Sequence, residues 1–394
     1  MSRLQQSRIP GLLRRSRFFR LFRRAIPFSP IPGNRVSLLP DGGEFFRTLL
    51  EEIDRAASLL LLEFYIVRGD AAGRIFADAL ITAARRGVRV FLIYDYIGSF
   101  DTPADYFRTL RESGVTCLAF NPPSFRWGLA RLDKRDHRKM AVIDGIRALV
   151  GGGNIGNEYS GHGKAERWRD AGVLIEGPAV AELQRLFTEN WEQETGSLLT
   201  GCRLPGAPLR AGDADVIIVS GGPSPVRSTI RRAYRFAIAG ATESVRVMTP
   251  YFLPGPRIIR SLLRAIRRGV QVQLILPAVN DVPIVRLLSR GYYHPVLTAG
   301  ITIHERQKEV LHAKVMLIDD HWSVFGSANM DHRSFSRNYE ISVIIDNGEF
   351  GEQVARMIDH DLERSREITL DEHERRGWLM RFLEALFSPI ARFL

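Results

Sequence analysis

VLHAKVMLIDDHWSVFGSANMDHRSF, residues 310–335, decides how this chain is read, because it has an earlier copy, DHRKMAVIDGIRALVGGGNIGNEY, over 136–159. His137, Lys139, Asp144, Gly151 and Asn154 of the first copy recur as His312, Lys314, Asp319, Gly326 and Asn329 of the second, all at one offset and without a gap. Each copy reads as a hairpin: the apolar runs VLHAKVMLI and KMAVI end at Asp319-Asp320 and Asp144-Gly145, which are turn signals. Residues two apart in a strand share a face, so each histidine points the same way as its lysine. A two-residue turn at Asp144-Gly145 places Gly152 opposite His137, and the same count around Asp319-Asp320 places Ser327 opposite His312. Asn154 and Asn329 lie just beyond, so the open end of each hairpin gathers a histidine, a lysine and a small or amide-bearing residue.

The aspartates are candidate catalytic residues with the histidines and lysines of the same motif, but each lies roughly 23 Å from its histidine at about 3.3 Å per strand residue. On that distance Asp144 and Asp319 build or brace the turn. The carboxylates better placed to orient the imidazoles follow each hairpin: Asp170 in WRDAGVLI and Glu340 in NYEISVII.

Outward from the hairpins, strands alternate with helical patterns twice. LLLLEFYIV (59–67) and VRVFLIYD (88–95) in the first half are echoed by SVRVMTPYF (244–252) and VQVQLILP (270–277) in the second. The alternation predicts two tandem α/β domains with mixed sheets flanked by helices, over 34–200 and 226–370. The duplication predicts a pseudo-twofold that brings both His-Lys edges to one cleft. A Gly-, Pro- and Ser-rich linker containing the strand VIIVS is expected over 201–225. A basic-aromatic segment precedes (1–33), and an amphipathic helix over 371–394 sets Trp378, Leu379, Phe382, Leu383, Leu386 and Phe387 along one face. Both ends read as packed or solvated segments or as interfacial helices, with arginines on phosphates and apolar side chains below them.

The chain has 394 residues and a net charge of +11, and only five of its 55 basic residues are lysines. Two of the five stand in the H-x-K motifs, which suggests that a compact ammonium is wanted there. The charge implies an anionic partner, either lipid surface or nucleic acid. Cys117 and Cys202 give no disulfide framework, no apolar run is long enough to span a bilayer, and neither H-E-x-x-H nor a cysteine cluster suggests a metal. Arg126, Arg131, Lys134 and Arg135, in the loop before His137, are candidates to receive an anionic head group, with solvated loop charges as the alternative.

H-x-K-x4-D-x6-G-x-x-N, present twice, resembles the phospholipase D superfamily. GGGNIGNEY and WRD after the first motif, TPYFLP at 249–254 and GSANMDHRSF in the second resemble its bacterial cardiolipin synthases. The resemblance covers about residues 33–370. It implies the tandem fold, no cofactor and a phosphatidyl transfer from phosphatidylglycerol through a phosphohistidine, releasing glycerol at the cytoplasmic face of the membrane. Nucleic acid is the disfavoured partner, and hydrolysis of phospholipid or nucleic acid is the alternative reaction. His137 is then the nucleophile and His312 the general acid/base. Lys139, Lys314, Asn154, Ser327 and Asn329 hold the phosphate oxygens, while Asp170 and Glu340 fix the tautomers.

Overall fold

The computed structural model describes residues 29–123, 133–162, 167–199, 209–223, 228–387 and 391. The basic N-terminal segment over 1–28 and Arg126 and Arg131 of the loop before His137 lie outside them. In chain order the first half is β1 (Ile31–Leu39), α1 (Gly42–Arg55), β2 (Leu59–Phe64), α2 (Ala71–Arg85), β3 (Arg89–Asp95), α3 (Ala104–Glu112) and β4 (Thr116–Phe120). It continues with β5 (Lys139–Ile143), β6 (Arg147–Gly151), α4 (Asn157–Ser160), β7 (Gly172–Glu176) and α5 (Val180–Thr195). The second half opens with β8 (Ala214–Gly221), α6 (Thr229–Gly240), β9 (Ser244–Met248), α7 (Gly255–Arg267) and β10 (Gln271–Pro277). Then come α8 (Pro283–Arg290), α9 (Tyr293–Thr298), β11 (Thr302–Arg306), β12 (Val315–Ile318) and β13 (Trp322–Gly326). It closes with α10 (His332–Ser336), β14 (Glu340–Asp346), α11 (Gly348–Glu363), β15 (Ser365–Ile368), α12 (Leu370–Glu374) and α13 (Trp378–Phe387).

The strands join in one 15-stranded mixed sheet, ordered β15-β11-β10-β9-β12-β13-β14-β8-β1-β7-β6-β5-β2-β3-β4. Read from either side toward the middle, the two halves repeat one order apart from the extra edge strand β15, and they meet where β1 pairs antiparallel with β8. The stretch expected to be linker therefore carries the first strand of the second half. VIIVS is apolar because β8 is held between β14 and β1.

Alternation along the buried strands feeds separate cores. Leu60 and Leu62 of β2 face the cluster under α1 and α2, with Phe46, Leu49, Phe76 and Leu80. Leu59 and Leu61 face a second cluster, shared by both halves, that takes in Leu183 and Phe187 of α5 and Val354 and Ile358 of α11. A third lies beneath α6 and α7. The helices begin where the sequence supplies caps: Asp41, Asp70, Ser228 and Asn347 each accept a first-turn N–H.

Both hairpins close one residue later than the two-residue count. Ile143 pairs with Arg147 and Ile318 with Trp322, although Ile146 and His321 still donate their N–H to Ile143 and Ile318. The cause lies in the aspartates. Asp144 and Asp319 stand in the left-handed region, with φ of 50° and 53°. Their carboxylates accept backbone N–H groups from Ala57, Ser58 and Leu59, and from Thr242, Glu243 and Ser244. Pinned outward to the start of β2 or β9, each aspartate leaves a third residue in the loop. Continuing the ladders puts Gly153 opposite His137 and Ala328 opposite His312, correcting Gly152 and Ser327; a slip of one residue exchanges faces.

Candidate active site

Each histidine precedes its strand and is fixed by backbone from the opposite half. The His137 N–H donates to the Tyr339 carbonyl at 2.9 Å, and the His312 N–H to the Arg169 carbonyl at 2.7 Å. Asp136 bridges Tyr339 and Arg169 bridges Leu311. Because Tyr339 and Arg169 immediately precede Glu340 and Asp170, the carboxylates are delivered crosswise. His137 Nδ1 lies 3.0 Å from Glu340 Oε1, and His312 Nδ1 lies 2.6 Å from Asp170 Oδ2. Ionised carboxylates only accept, so both imidazoles carry the proton on Nδ1 and present Nε2 as a lone pair. The carboxylate that follows each hairpin thus serves the other copy's histidine.

The lysines complete one electrostatic unit. Lys139 Nζ donates to the His137 carbonyl at 2.6 Å and stands 5.1 Å from the centre of the Tyr65 ring. Lys314 Nζ donates to the His312 carbonyl and lies 3.0 Å from His312 Nε2. Burial lowers the Lys139 ammonium to about 7, with Lys314 repelling it and Glu340 opposing the shift. Lys314 is lowered to about 8, again chiefly by burial. Burial also carries His137 down to about 4, with Glu340 pulling upward and both lysines pressing down, and it lowers His312, with Lys314 adding to the effect. Burial alone would raise Asp170 and Glu340. Their histidine and lysine neighbours, with hydrogen bonds to both carboxylates, outweigh it and hold both below the ordinary range. The unliganded cleft is therefore two neutral imidazoles, two carboxylates and two ammoniums whose proton affinity is weakened.

Sequence expectations for the phosphate-holding residues separate here. Asn329 lines the cavity beside His137. Asn154 accepts from the Ile66 N–H at 3.1 Å and is hydrogen-bonded to Tyr159. Ser327 is fully buried and donates its hydroxyl to Glu340 Oε2, while its Oγ accepts from the Ile341 N–H at 3.0 Å. Its hydroxyl is thus committed to the carboxylate rather than to a ligand. Asp144 and Asp319, grouped with the catalytic motif, bond the starts of β2 and β9 and make no hydrogen bond to either histidine. Arg135, expected as a head-group receiver, is buried and pairs with Asp95 at 3.2 Å, although it still reaches the cavity wall. Lys134 remains exposed.

The glycine at 152 has a steric reason. A Cβ there would stand 2.3 Å from Asp170 Oδ1, whereas Glu340, one methylene longer, leaves room for Ser327 at the equivalent place.

Tyr159, Trp168, Asp331 and Arg333 lie within the segments GGGNIGNEY, WRD and GSANMDHRSF, whereas Tyr65, Val282 and Val285 carry no motif signal. Tyr65 lies edge-on to His137 with ring centres 4.9 Å apart, and Tyr159 and Trp168 flank His312 at 5.2 and 5.4 Å. Tyr251, Val282, Val285, Asp331 and Arg333 line the cavity of about 180 Å³ that opens on His137. Tyr251 lies inside the TPYFLP segment, and α8 supplies Val285. His162 packs edge-on to Phe46, and His304 meets Gln273 on an edge strand. His332 opens α10 and is not among the cavity residues. Among the described residues no group of His, Cys, Asp and Glu is arranged to hold a metal ion.

A family model described as cardiolipin synthase, PLD-like domain, matches residues 49–191 and again 234–362. The chain is 36% identical over 376 residues to cardiolipin synthase A of Pseudomonas putida, covering 93% of this chain and 78% of that one. It is 36% identical over 358 residues to cardiolipin synthase 2 of Bacillus cereus, covering 89% and 70%. Its fold matches the crystal structure of phosphatidylserine synthase from Haemophilus influenzae with a TM-score of 0.70 at 14% identity, over 95% of this chain and 97% of that one. Two family matches in tandem, two H-x-K hairpins and carboxylates exchanged between halves agree: the chain belongs to the cardiolipin synthase family of PLD-like proteins.

Proposed function

We propose that the protein is a phosphatidyltransferase that makes cardiolipin from phosphatidylglycerol through a phosphohistidine. The observation that carries the reading is the crossed carboxylate–imidazole pairing, which leaves Nε2 of each half unprotonated, that of His312 with the Lys314 ammonium 3.0 Å away. His137 Nε2 attacks the phosphorus of phosphatidylglycerol as its bond to the glycerol oxygen breaks. The departing alkoxide takes a proton from the His312 imidazolium and leaves as glycerol. A second lipid's hydroxyl then gives its proton to His312 Nε2 and attacks phosphorus, the P–N bond breaks, and His137 is returned unchanged. A neutral His137 is in the form needed for attack. A bound phosphodiester anion favours charge on its neighbours, so it raises His312 and both lysines toward their protonated forms. Lys139, Lys314 and Asn329 neutralise the non-bridging oxygens where the phosphorane forms.

The cavity at His137 has room for a phosphodiester head group and not for two acyl chains, which would remain outside it. No helix among the described residues is long and apolar enough to cross a membrane. The proposed enzyme meets its lipid at the cytoplasmic face of the membrane, from the side.

Incubation with phosphatidylglycerol vesicles tests the reading. Cardiolipin and glycerol in equal amounts are expected. Phosphatidic acid in place of cardiolipin would make water the acceptor and the protein a phospholipid hydrolase. An alkaline quench during turnover, followed by peptide mass spectrometry, should find the phosphatidyl group on His137; the group on His312 would exchange the two roles.

A further inference from the structure

The positive charge is not spread over the molecule. From Val216 to Asn280 the sequence carries ten arginines, no lysine and one carboxylate, Glu243. Seven of these arginines lie on two packed helices: the buried Arg231 with Arg232 and Arg235 on α6, and Arg257, Arg260, Arg264 and Arg267 on α7. The four on α7 recur at spacings of three and four, so they form one exposed face. Among the described residues Arg232, Arg235 and the four on α7 make no ion pair, whereas more than half of the other described arginines do. Arg235 is depressed by its own burial and then by Arg257, Arg260, Arg264 and Arg232 around it. A surface that tolerates this much self-repulsion is built to meet an external polyanion.

The position of this face narrows the choice. Leu253, just before α7, packs with Val285 and Leu288 of α8 and with Phe387 of α13. Val285 also lines the catalytic cavity, so α8, with α13 packed on it, stands at the cavity wall, and α7 begins two residues after Leu253 of the same cluster. On α13 the expected apolar stripe is divided. Phe387 is turned inward, while Trp378, Phe382 and Leu386, at spacings of four, are 77%, 55% and 56% exposed. Arginines beside exposed aromatic and aliphatic side chains suit a head-group layer, with phosphates above and acyl chains beneath. A nucleic acid would use the first set and leave the second in water.

We propose that the arginine face of α6 and α7, with the apolar stripe of α13, is the surface by which the protein docks on an anionic phospholipid bilayer and sets its catalytic cavity against the lipid. The inference rests on the lipid reading of the site and adds where the membrane is met.

Co-sedimentation of the full chain with vesicles tests it without turnover. Wild type should bind vesicles made of equal parts phosphatidylcholine and phosphatidylglycerol, and bind phosphatidylcholine alone far more weakly. R257E/R260E/R264E should weaken binding to the mixed vesicles by well over about a hundredfold, since losing each arginine near such a surface costs about fivefold and reversal adds repulsion. R257Q/R260Q/R264Q serves if charge reversal prevents folding, with circular dichroism as the check. Trp378→Ser/Phe382→Ser should weaken binding while leaving its salt dependence unchanged. Binding by the arginine variants equal to wild type would overturn the proposal. So would a loss confined to duplex DNA with vesicle binding intact, which would make this a nucleic-acid surface. If wild type docks as stated yet makes no cardiolipin, the reaction is refuted and the docking face stands.

Discussion

The two histidines occupy copies of one hairpin, yet the carboxylates facing them differ by a methylene, and each side is built around that difference. Around His137 the partner is Glu340, long enough to accept a hydroxyl from Ser327 as well as the imidazole N–H. Around His312 it is Asp170, whose oxygen occupies the space a side chain at 152 would need. His137 also opens on the cavity, while His312 is boxed by Tyr159 and Trp168. A duplicated site can thus assign unlike tasks to like residues by changing what stands behind them.

The largest effect should come from the imidazoles. His137→Ala and His312→Ala are each expected to cost at least about 10³-fold in kcat. The two are separable with a phosphatidyl donor whose leaving group needs no proton: H312A should accumulate phosphoenzyme and H137A none. Equal accumulation would erase the distinction between the halves.

Replacing the carboxylates should cost about 10²-fold and cross over between halves. Glu340→Gln should slow formation of the phosphoenzyme on His137, while Asp170→Asn should slow its transfer to the acceptor, as rapid-quench kinetics would resolve. A contrary pattern would mean that each carboxylate serves its own half.

Gly152→Ser should lower activity more than Ser327→Gly, with losses of stability of similar size. The first drives an atom into Asp170 and should destabilise the fold by about 1–3 kcal/mol while lowering activity. The second removes one charge-assisted hydrogen bond, about 1.5–3 kcal/mol if Glu340 stays unsatisfied and less if water replaces the hydroxyl. Thermal melting and turnover of the two variants rank them.

A smaller, graded effect should appear with pH. Lys139 and Lys314 have folded proton affinities lowered to about 7 and 8, so the unliganded ammoniums discharge on the alkaline side. The alkaline limb of kcat/KM should therefore fall between about pH 7 and 8, with that of kcat higher because bound phosphate holds the protons. The same groups bind more protons unfolded than folded, so their cost to stability shrinks as pH rises from 7 toward the ordinary lysine value. For His137 the folded value is about 4, below the ordinary 6.5. Its contribution is complete above the latter and lost as pH falls toward the former. Urea titrations across the range check both signs.

Last, Asp144→Ala and Asp319→Ala should lower the melting temperature and leave turnover per folded molecule nearly unchanged, because both carboxylates serve the starts of β2 and β9.

Much of this was legible in the chain because repetition is a signal that needs no energetics. The equivalence of His137 with His312 and the order of strands around them follow from matching one half to the other. The exchange of carboxylates was not legible: Asp170 and Glu340 each follow a hairpin in sequence, and nothing local says that the strand end turns them toward the other copy. The hairpin register was missed because Asp144 and Asp319 find their hydrogen bonds with residues far away in the chain, at Leu59 and Ser244. VIIVS was read as a strand within a linker, since the composition of 201–225 is that of a loop and only the seam with β1 gives it a place. Between β10 and β11 stand two helices, α8 and α9, where the first half has α3 alone, so the extra helix has no second copy to reveal it.

The seam between β1 and β8 and the exchanged carboxylates together make the site joint property. A polypeptide carrying a single copy would hold a nucleophile without its orienting acid, and would gain one only by embracing a twin. Severing the backbone somewhere in 201–208 ought to yield two fragments, each inert by itself, that regain turnover on being mixed. Fusion of the copies into one chain would then have been what freed each carboxylate to drift in length.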